Sequence, residues 1–328
     1  MRILVTDRFA EAALARLAAA GFEVVQRPGI AGADLAAAVG GMHAMLVRAG
    51  AKLDEPILER ADALLAIGRA GVGCEHIDLE ACNRLGIAVM NTPGATAIAT
   101  AERTIALMLA LLHQIPSADR SMRAGRWDRR AFLAHEATDK VLGVVGFGNI
   151  GRVVCDRARG LRMRVLAHSP RISSELAASM GVEPVALDEL LARADIVTCH
   201  VGTPRAREPV LGRRELGLMR PGTWFVNTSR GYLVDEAALI EALVEGRLAG
   251  AALDVFATEP LPVDSKLREL DNVILSPHLG ASSREGEARA SDTAVDQVAR
   301  FLRDGTVRNL VNSPARFRHA AAATQPPG

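Results

Sequence analysis

A chain of 328 residues with a net charge of +1 has no diffuse attraction for nucleic acid or an anionic membrane, so any anion it binds is held locally. Hydrophobic content of 49% beside 23% charged residues excludes extensive disorder, and the length suffices for two domains with separate cores. Cys74, Cys82, Cys155 and Cys199 form no C-x-x-C pair and mark no metal site. With no apolar run of membrane-spanning length and no leader before the strand-like start, the expectation is a cytoplasmic protein with buried, reduced thiols.

Taken in chain order, short apolar runs at 3–6, 23–25, 44–47, 64–67 and 88–91 read as strands, bounded by Gly, Pro or Asp. Alanine-rich stretches at 11–19, 54–61 and 79–85 read as helices between them. This β-α-β rhythm predicts a parallel sheet covered by helices on both faces. A long apolar helix over about 97–115 leads away. A second rhythm follows, with strands at 141–145, 164–167, 196–200, 223–226, 251–255 and 273–275 and a long helix over 284–303. Residues 320–328 read as a frayed tail. The pattern predicts an α/β protein of two doubly wound parallel-sheet domains, and the joining helices suggest that the two are interleaved.

The segment Gly146-Phe147-Gly148-Asn149-Ile150-Gly151 stands between a buried strand at 141–145 and a helix opening at Asn149. Gly146 permits the tight turn, Gly148 lets the backbone approach a pyrophosphate, and Gly151 lets the helix pack on the strand. The helix N-terminus then faces the phosphate charge. The next strand runs into His168-Ser169-Pro170-Arg171, with no acid to bind the ribose hydroxyls. A hydroxyl and a guanidinium suit a 2′-phosphate, so NADP is favoured over NAD; the alternative for Arg171 is a solvated loop cation.

Three further strand ends carry candidate chemistry. Asn227-Thr228-Ser229-Arg230-Gly231 offers an arginine whose fork can bind a carboxylate. Ser276-Pro277-His278-Leu279-Gly280 offers an imidazole that can give a proton to a carbonyl oxygen or take one from an alcohol. Asp254-Val255-Phe256-Ala257-Thr258-Glu259-Pro260 offers Glu259 to accept from the far imidazole nitrogen. Together they read as a nicotinamide-dependent dehydrogenase acting on a 2-hydroxy acid. Cys74 with His76 is a poor nucleophile pair, because no oxyanion hole accompanies them.

On these motifs the chain resembles the D-isomer-specific 2-hydroxyacid dehydrogenases over about residues 2–312. The resemblance implies a Rossmann cofactor domain (97–283) inserted into a flavodoxin-like substrate domain (1–96 plus 284–314), with a flexible tail at 315–328. It implies that Arg230, Glu259 and His278 are catalytic and that Asp254 contacts the nicotinamide carboxamide. Thr228 and Gly280 join the glycine loop and Ser169 in the cofactor site. Gly71-Val72-Gly73 resembles the loop whose N–H groups hold the substrate carboxylate, with Val72 and Gly73 as binding residues. Within the family the chain is most similar to the branch that acts on D-3-phosphoglycerate. There Arg48 falls on a substrate-binding arginine, and Arg129 lies in a segment, 121–132, that reaches the neighbouring subunit of a homodimer. The alternative for 121–130 is a solvated basic helix end.

The chain departs from the family at Cys74-Glu75-His76, at Thr96, after His200 and at Ser169. The match ends near Asn312, which implies a short form without C-terminal regulatory domains and without feedback by serine through them. The second substrate reading is a glyoxylate or hydroxypyruvate reductase. A reading of another class is a dinucleotide-sensing, corepressor-like interaction protein.

Overall fold

The computed structural model describes residues 1–170, 172–202 and 208–318. Arg171 and the tail expected at 320–328 therefore lie outside the described residues. The chain divides into two compact units: residues 1–96 with the segment from Ser283 onward, and Ala97–Ser282.

The first unit begins β1 (Arg2–Val5), α1 (Glu11–Ala19), β2 (Glu23–Gln26), α2 (Gly32–Ala38) and β3 (Ala44–Val47). It continues through α3 (Glu55–Arg60), β4 (Ala66–Arg69), α4 (Leu79–Leu85) and β5 (Ala88–Met90). All five strands are parallel, in the order β2-β1-β3-β4-β5. β3 is buried throughout because both of its faces are covered. Ala44 and Leu46 enter one core, Met45 and Val47 the other.

The second unit opens with α5 (Ala97–Leu112) and α6 (Ile115–Arg123), followed by β6 (Val141–Val145), α7 (Asn149–Gly160), β7 (Arg164–His168) and α8 (Ser174–Ser179). Then come β8 (Glu183–Pro184), α9 (Leu187–Arg193), β9 (Ile196–Cys199), α10 (Arg213–Leu218) and β10 (Thr223–Asn227). It closes with α11 (Glu236–Val244), β11 (Leu248–Leu253) and β12 (Val273–Leu275), after which α12 (Arg284–Asp304) returns to the first unit. The seven parallel strands run β12-β11-β10-β9-β6-β7-β8, so the order reverses beside β6. A switch point of this kind opens a ligand crevice at the carboxyl ends of the strands. The two doubly wound sheets expected from the sequence are present.

Three differences from the sequence reading stand out. The helix expected over 97–115 ends at Leu112, and a second helix, α6, starts at Ile115 with a bend of 61° between the two. Pro116 has no N–H to give and its ring would clash with the Leu112 carbonyl, so the chain breaks and Gln114 takes a left-handed φ of 51°. β4 begins at Ala66 rather than at 64, which puts Arg69 on its last position. β11 ends at Leu253, leaving Asp254 as the first loop residue. Among the described residues, no single helix is long and apolar enough to cross a membrane. Burial pushes the Cys82 and Cys155 thiols up to about 12 and Cys199 to about 11, which leaves them unreactive at neutral pH.

Candidate active site

The glycine loop meets the geometric demands made of it. Gly146 turns with φ of 103°, and a Cβ there would stand 2.4 Å from the His200 carbonyl oxygen. A Cβ on Gly151 would stand 2.0 Å from the Gly146 oxygen, so α7 rests directly on the turn. Gly148, by contrast, has open space where its Cβ would be. That opening lies at the N-terminus of α7, where main-chain N–H groups favour a phosphate, so the cradle fits a dinucleotide. Phe147 is buried and Ile150 packs on the same core. The Asn149 side chain accepts from Arg152 at 2.9 Å. The Gly146 N–H donates to the His168 carbonyl at 2.7 Å, so the residue that follows, Ser169, is fixed beside the loop.

The turn after β10 is clamped by its own asparagine. Asn227 accepts the Ser229 N–H at 3.0 Å and donates to the Arg230 carbonyl at 3.1 Å. Thr228 is buried with its hydroxyl 2.7 Å from that of Thr104. Arg230 is half-buried, and its guanidinium donates to the Ser229 carbonyl at 2.9 Å. A Cβ on Gly231 would stand 1.9 Å from the Phe256 main chain. Only glycine therefore lets the loop after β10 lie against the loop after β11.

That second contact brings Glu259 into range. Its Oε1 accepts the Phe256 N–H at 3.1 Å, and its Oε2 is 2.6 Å from Nδ1 of His278. The Glu259 bond raises the pKa of His278 above its ordinary value; burial and the Arg230 charge oppose it without prevailing. Burial pushes Glu259 up, but the bonds from His278 and Phe256 outweigh it and leave the carboxyl below the usual range. The dyad is thus biased toward imidazolium and carboxylate, with Nε2 the ring nitrogen left to act on a substrate.

His278 itself has a left-handed φ of 51°. Asp254 holds it there. The Asp254 carbonyl accepts the His278 N–H at 2.8 Å, Oδ1 accepts Leu279 at 2.9 Å, and Oδ2 accepts Gly280 at 2.6 Å. Asp254 is 0% exposed, so its visible partners are these backbone groups. The sequence reading gave Asp254 a cofactor contact and missed this anchoring. Gly280 packs beside Asp254, Thr100 and the Thr228 carbonyl. A cavity of about 580 Å³ opens beside the dyad, lined by Phe256, Glu259, Leu261, Leu275, Pro277 and His278.

The first unit places the Gly71-Val72-Gly73 turn against Thr92 and Asn91. Thr92 takes the Gly71 N–H at 2.7 Å, whereas the N–H groups of Val72 and Gly73 meet no acceptor among the described residues. Asn91 holds the Val72 carbonyl at 2.8 Å, and Gln297 holds Asn91 in turn at 3.0 Å. Gly71 has φ of 143°, and the Arg69 guanidinium lies where its Cβ would be. Arg69 was missed because the expected strand stopped two residues short of it. Arg48, after β3, pairs with Glu287 at 3.0 Å. Beside them His76 is half-buried, with its pKa lowered chiefly by burial. Arg129 is exposed on the segment after α6, and among the described residues no hydrogen bond or ion pair fixes its side chain.

Comparison with known proteins adds the family. Residues 105–280 match the model for the D-isomer specific 2-hydroxyacid dehydrogenase NAD binding domain. The chain is 40% identical over 317 residues to a D-3-phosphoglycerate dehydrogenase of Archaeoglobus fulgidus, covering 96% of this chain and 60% of the relative. It is 43% identical over 316 residues to that of Methanocaldococcus jannaschii, with the same coverage of 96% and 60%. The chain therefore spans about 60% of the length of these relatives. Among solved structures, the TT0316 protein of Thermus thermophilus superposes with a TM-score of 0.86 at 35% identity, covering 95% of this chain and 100% of that one.

Proposed function

The chain belongs to the D-isomer specific 2-hydroxyacid dehydrogenase family, and we propose that it is an oxidoreductase interconverting a D-2-hydroxy acid and its 2-oxo acid, with D-3-phosphoglycerate as substrate. The observation that carries this reading is the 2.6 Å His278–Glu259 pair, on the unit that also bears the glycine loop.

The residues present fit a nicotinamide dinucleotide: Gly146–Gly151 and the N-terminus of α7 for the pyrophosphate, Ser169 for the ribose end, and Thr228 and Gly280 near the ring. When bound, that group accepts or supplies the hydride. The chain's own residues do the rest. Arg230 binds the substrate carboxylate with its fork. For reduction, His278 begins as imidazolium and gives the proton on Nε2 to the carbonyl oxygen at C2. Glu259 holds Nδ1 throughout, so the ring keeps its orientation and its readiness to charge. In the oxidising direction neutral Nε2 takes the proton from the alcohol. The Val72 and Gly73 N–H groups, Arg48 and Arg69 serve the anionic groups of the substrate, and Arg129 serves them from the partner in a homodimer. The uncharged Ser169 favours NADP over NAD, because no carboxylate repels a 2′-phosphate there. A cytoplasmic location accompanies this reading.

The test is a steady-state screen of NADH and NADPH against 2-oxo acids, including 3-phosphohydroxypyruvate, hydroxypyruvate and glyoxylate. Turnover strongest with the phosphorylated acid is expected. Turnover of glyoxylate alone would overturn the substrate, and turnover of none would overturn the enzyme.

A further inference from the structure

Arg48 is fixed at its backbone and occupied at its head. The Asp7 carboxylate accepts the Arg48 N–H at 2.8 Å and the Gly50 N–H at 3.1 Å. A Cβ on Gly50 would stand 2.7 Å from the same carboxylate, so the turn sits tightly on Asp7 and has little room to shift. At the other end Nη2 of Arg48 lies 3.0 Å from Oε1 of Glu287. Glu287 stands on the first turn of α12, capped by Ser283, which accepts the Gly286 N–H at 3.0 Å. The Arg48 side chain is 23% exposed and that of Glu287 45%, so the carboxylate can swing into water while the guanidinium stays.

We propose that Glu287 is a specificity-determining residue, a resident carboxylate that competes with the distal anion of the substrate for Arg48. This rests on the reading of Arg48 as a substrate arginine. A doubly charged phosphate reaching Arg48 must displace Glu287 or lie against its negative charge, and either lowers affinity. A neutral hydroxymethyl tail does not need the guanidinium and leaves the pair intact. Glu287 therefore narrows the preference for a phosphorylated substrate over its unphosphorylated counterpart. Its effect acts through Arg48 and falls on KM rather than on the proton step.

The experiment compares kcat/KM for 3-phosphohydroxypyruvate and hydroxypyruvate in the full chain, as wild type, Glu287→Gln, Glu287→Lys and each variant combined with Arg48→Met. The ratio of phosphorylated to unphosphorylated substrate should rise about three- to fivefold in Glu287→Gln, as suits a partly exposed pair. It should rise further in Glu287→Lys, with KM carrying the change. In the Arg48→Met background Glu287→Gln should move the ratio less, since the competition for the guanidinium is gone and only the charge of Glu287 remains. A ratio unchanged by Glu287→Gln overturns the inference alone, as does a rise of the same size without Arg48. Failure of the wild type to reduce either acid overturns the substrate reading, and this inference with it.

Discussion

Oδ2 of Asp254 lies 2.6 Å from the backbone nitrogen of Gly280. With the contact from Oδ1 to Leu279 and from the carbonyl to His278, one residue holds three consecutive N–H groups. This explains how an imidazole-bearing residue is kept at a φ that L-residues seldom adopt.

Asp254→Asn should therefore loosen His278 as well as the loop. An amide offers one acceptor oxygen, and its NH2 would face a backbone donor in a fully buried site. The loss is expected at about 1–3 kcal/mol of stability, with a fall in kcat of at least about tenfold. Thermal melts and steady-state kinetics check both. A variant with wild-type melting and wild-type kcat would show that the loop keeps His278 in place without the carboxylate.

Glu259→Gln addresses the tuning of His278. The raised histidine pKa gives a contribution to stability that is complete below the ordinary 6.5 and is lost as pH climbs through the folded value. The lowered Glu259 pKa gives one present above the ordinary 4.5 and lost as pH falls through its folded value. The pair thus matters between those folded values. With side chains 45% and 35% exposed it is worth no more than about 1 kcal/mol to folding. The catalytic consequence is larger. Without the carboxylate, imidazolium is lost at lower pH, so the alkaline limb of the reductive kcat should move down. An unmoved limb would remove Glu259 from that role.

Gly231→Ala tests how Arg230 and Glu259 are brought near each other. The added Cβ would meet the Phe256 main chain at 1.9 Å, and backbone cannot give way as a flexible side chain does. Overpacking of this kind costs about 1–3 kcal/mol. The two loops should part, raising KM for the oxo acid as Arg230 shifts. Unaltered stability and KM would mean that the loops have slack.

Ser169→Asp concerns the cofactor. A carboxylate at this strand end suits ribose hydroxyls and repels a 2′-phosphate, so NADPH affinity should fall about ten- to hundredfold relative to NADH. Titration of both cofactors by intrinsic fluorescence quenching measures it. Equal weakening of the two would contradict the preference for NADP.

Much of this was readable before the fold was known, and the reasons are local. Strand periodicity marked both sheets because parallel strands buried on both faces read as short apolar runs. The glycine loop was legible because Gly146 and Gly151 each answer a steric demand and Gly148 leaves the opening at the N-terminus of α7. Arg230, Glu259 and His278 could be singled out because each follows a strand. Arg69 escaped because two buried leucines, Leu64 and Leu65, mimic the start of a strand that in fact begins at Ala66. The anchoring by Asp254 and the close approach at Gly231 are contacts between distant loops, and no periodicity encodes them. The stop before Pro116 was read from the sequence, three residues past the end of α5 at Leu112.

We propose His278 as the proton donor of a D-2-hydroxyacid oxidoreductase. The most direct measurement is the rate of NAD(P)H oxidation by the best 2-oxo acid at saturating substrate, for wild type and His278→Ala. Turnover by the wild type is expected, with a kcat about 10²–10⁴ lower in the variant and the cofactor still bound. A variant that turns over at the wild-type rate would contradict it.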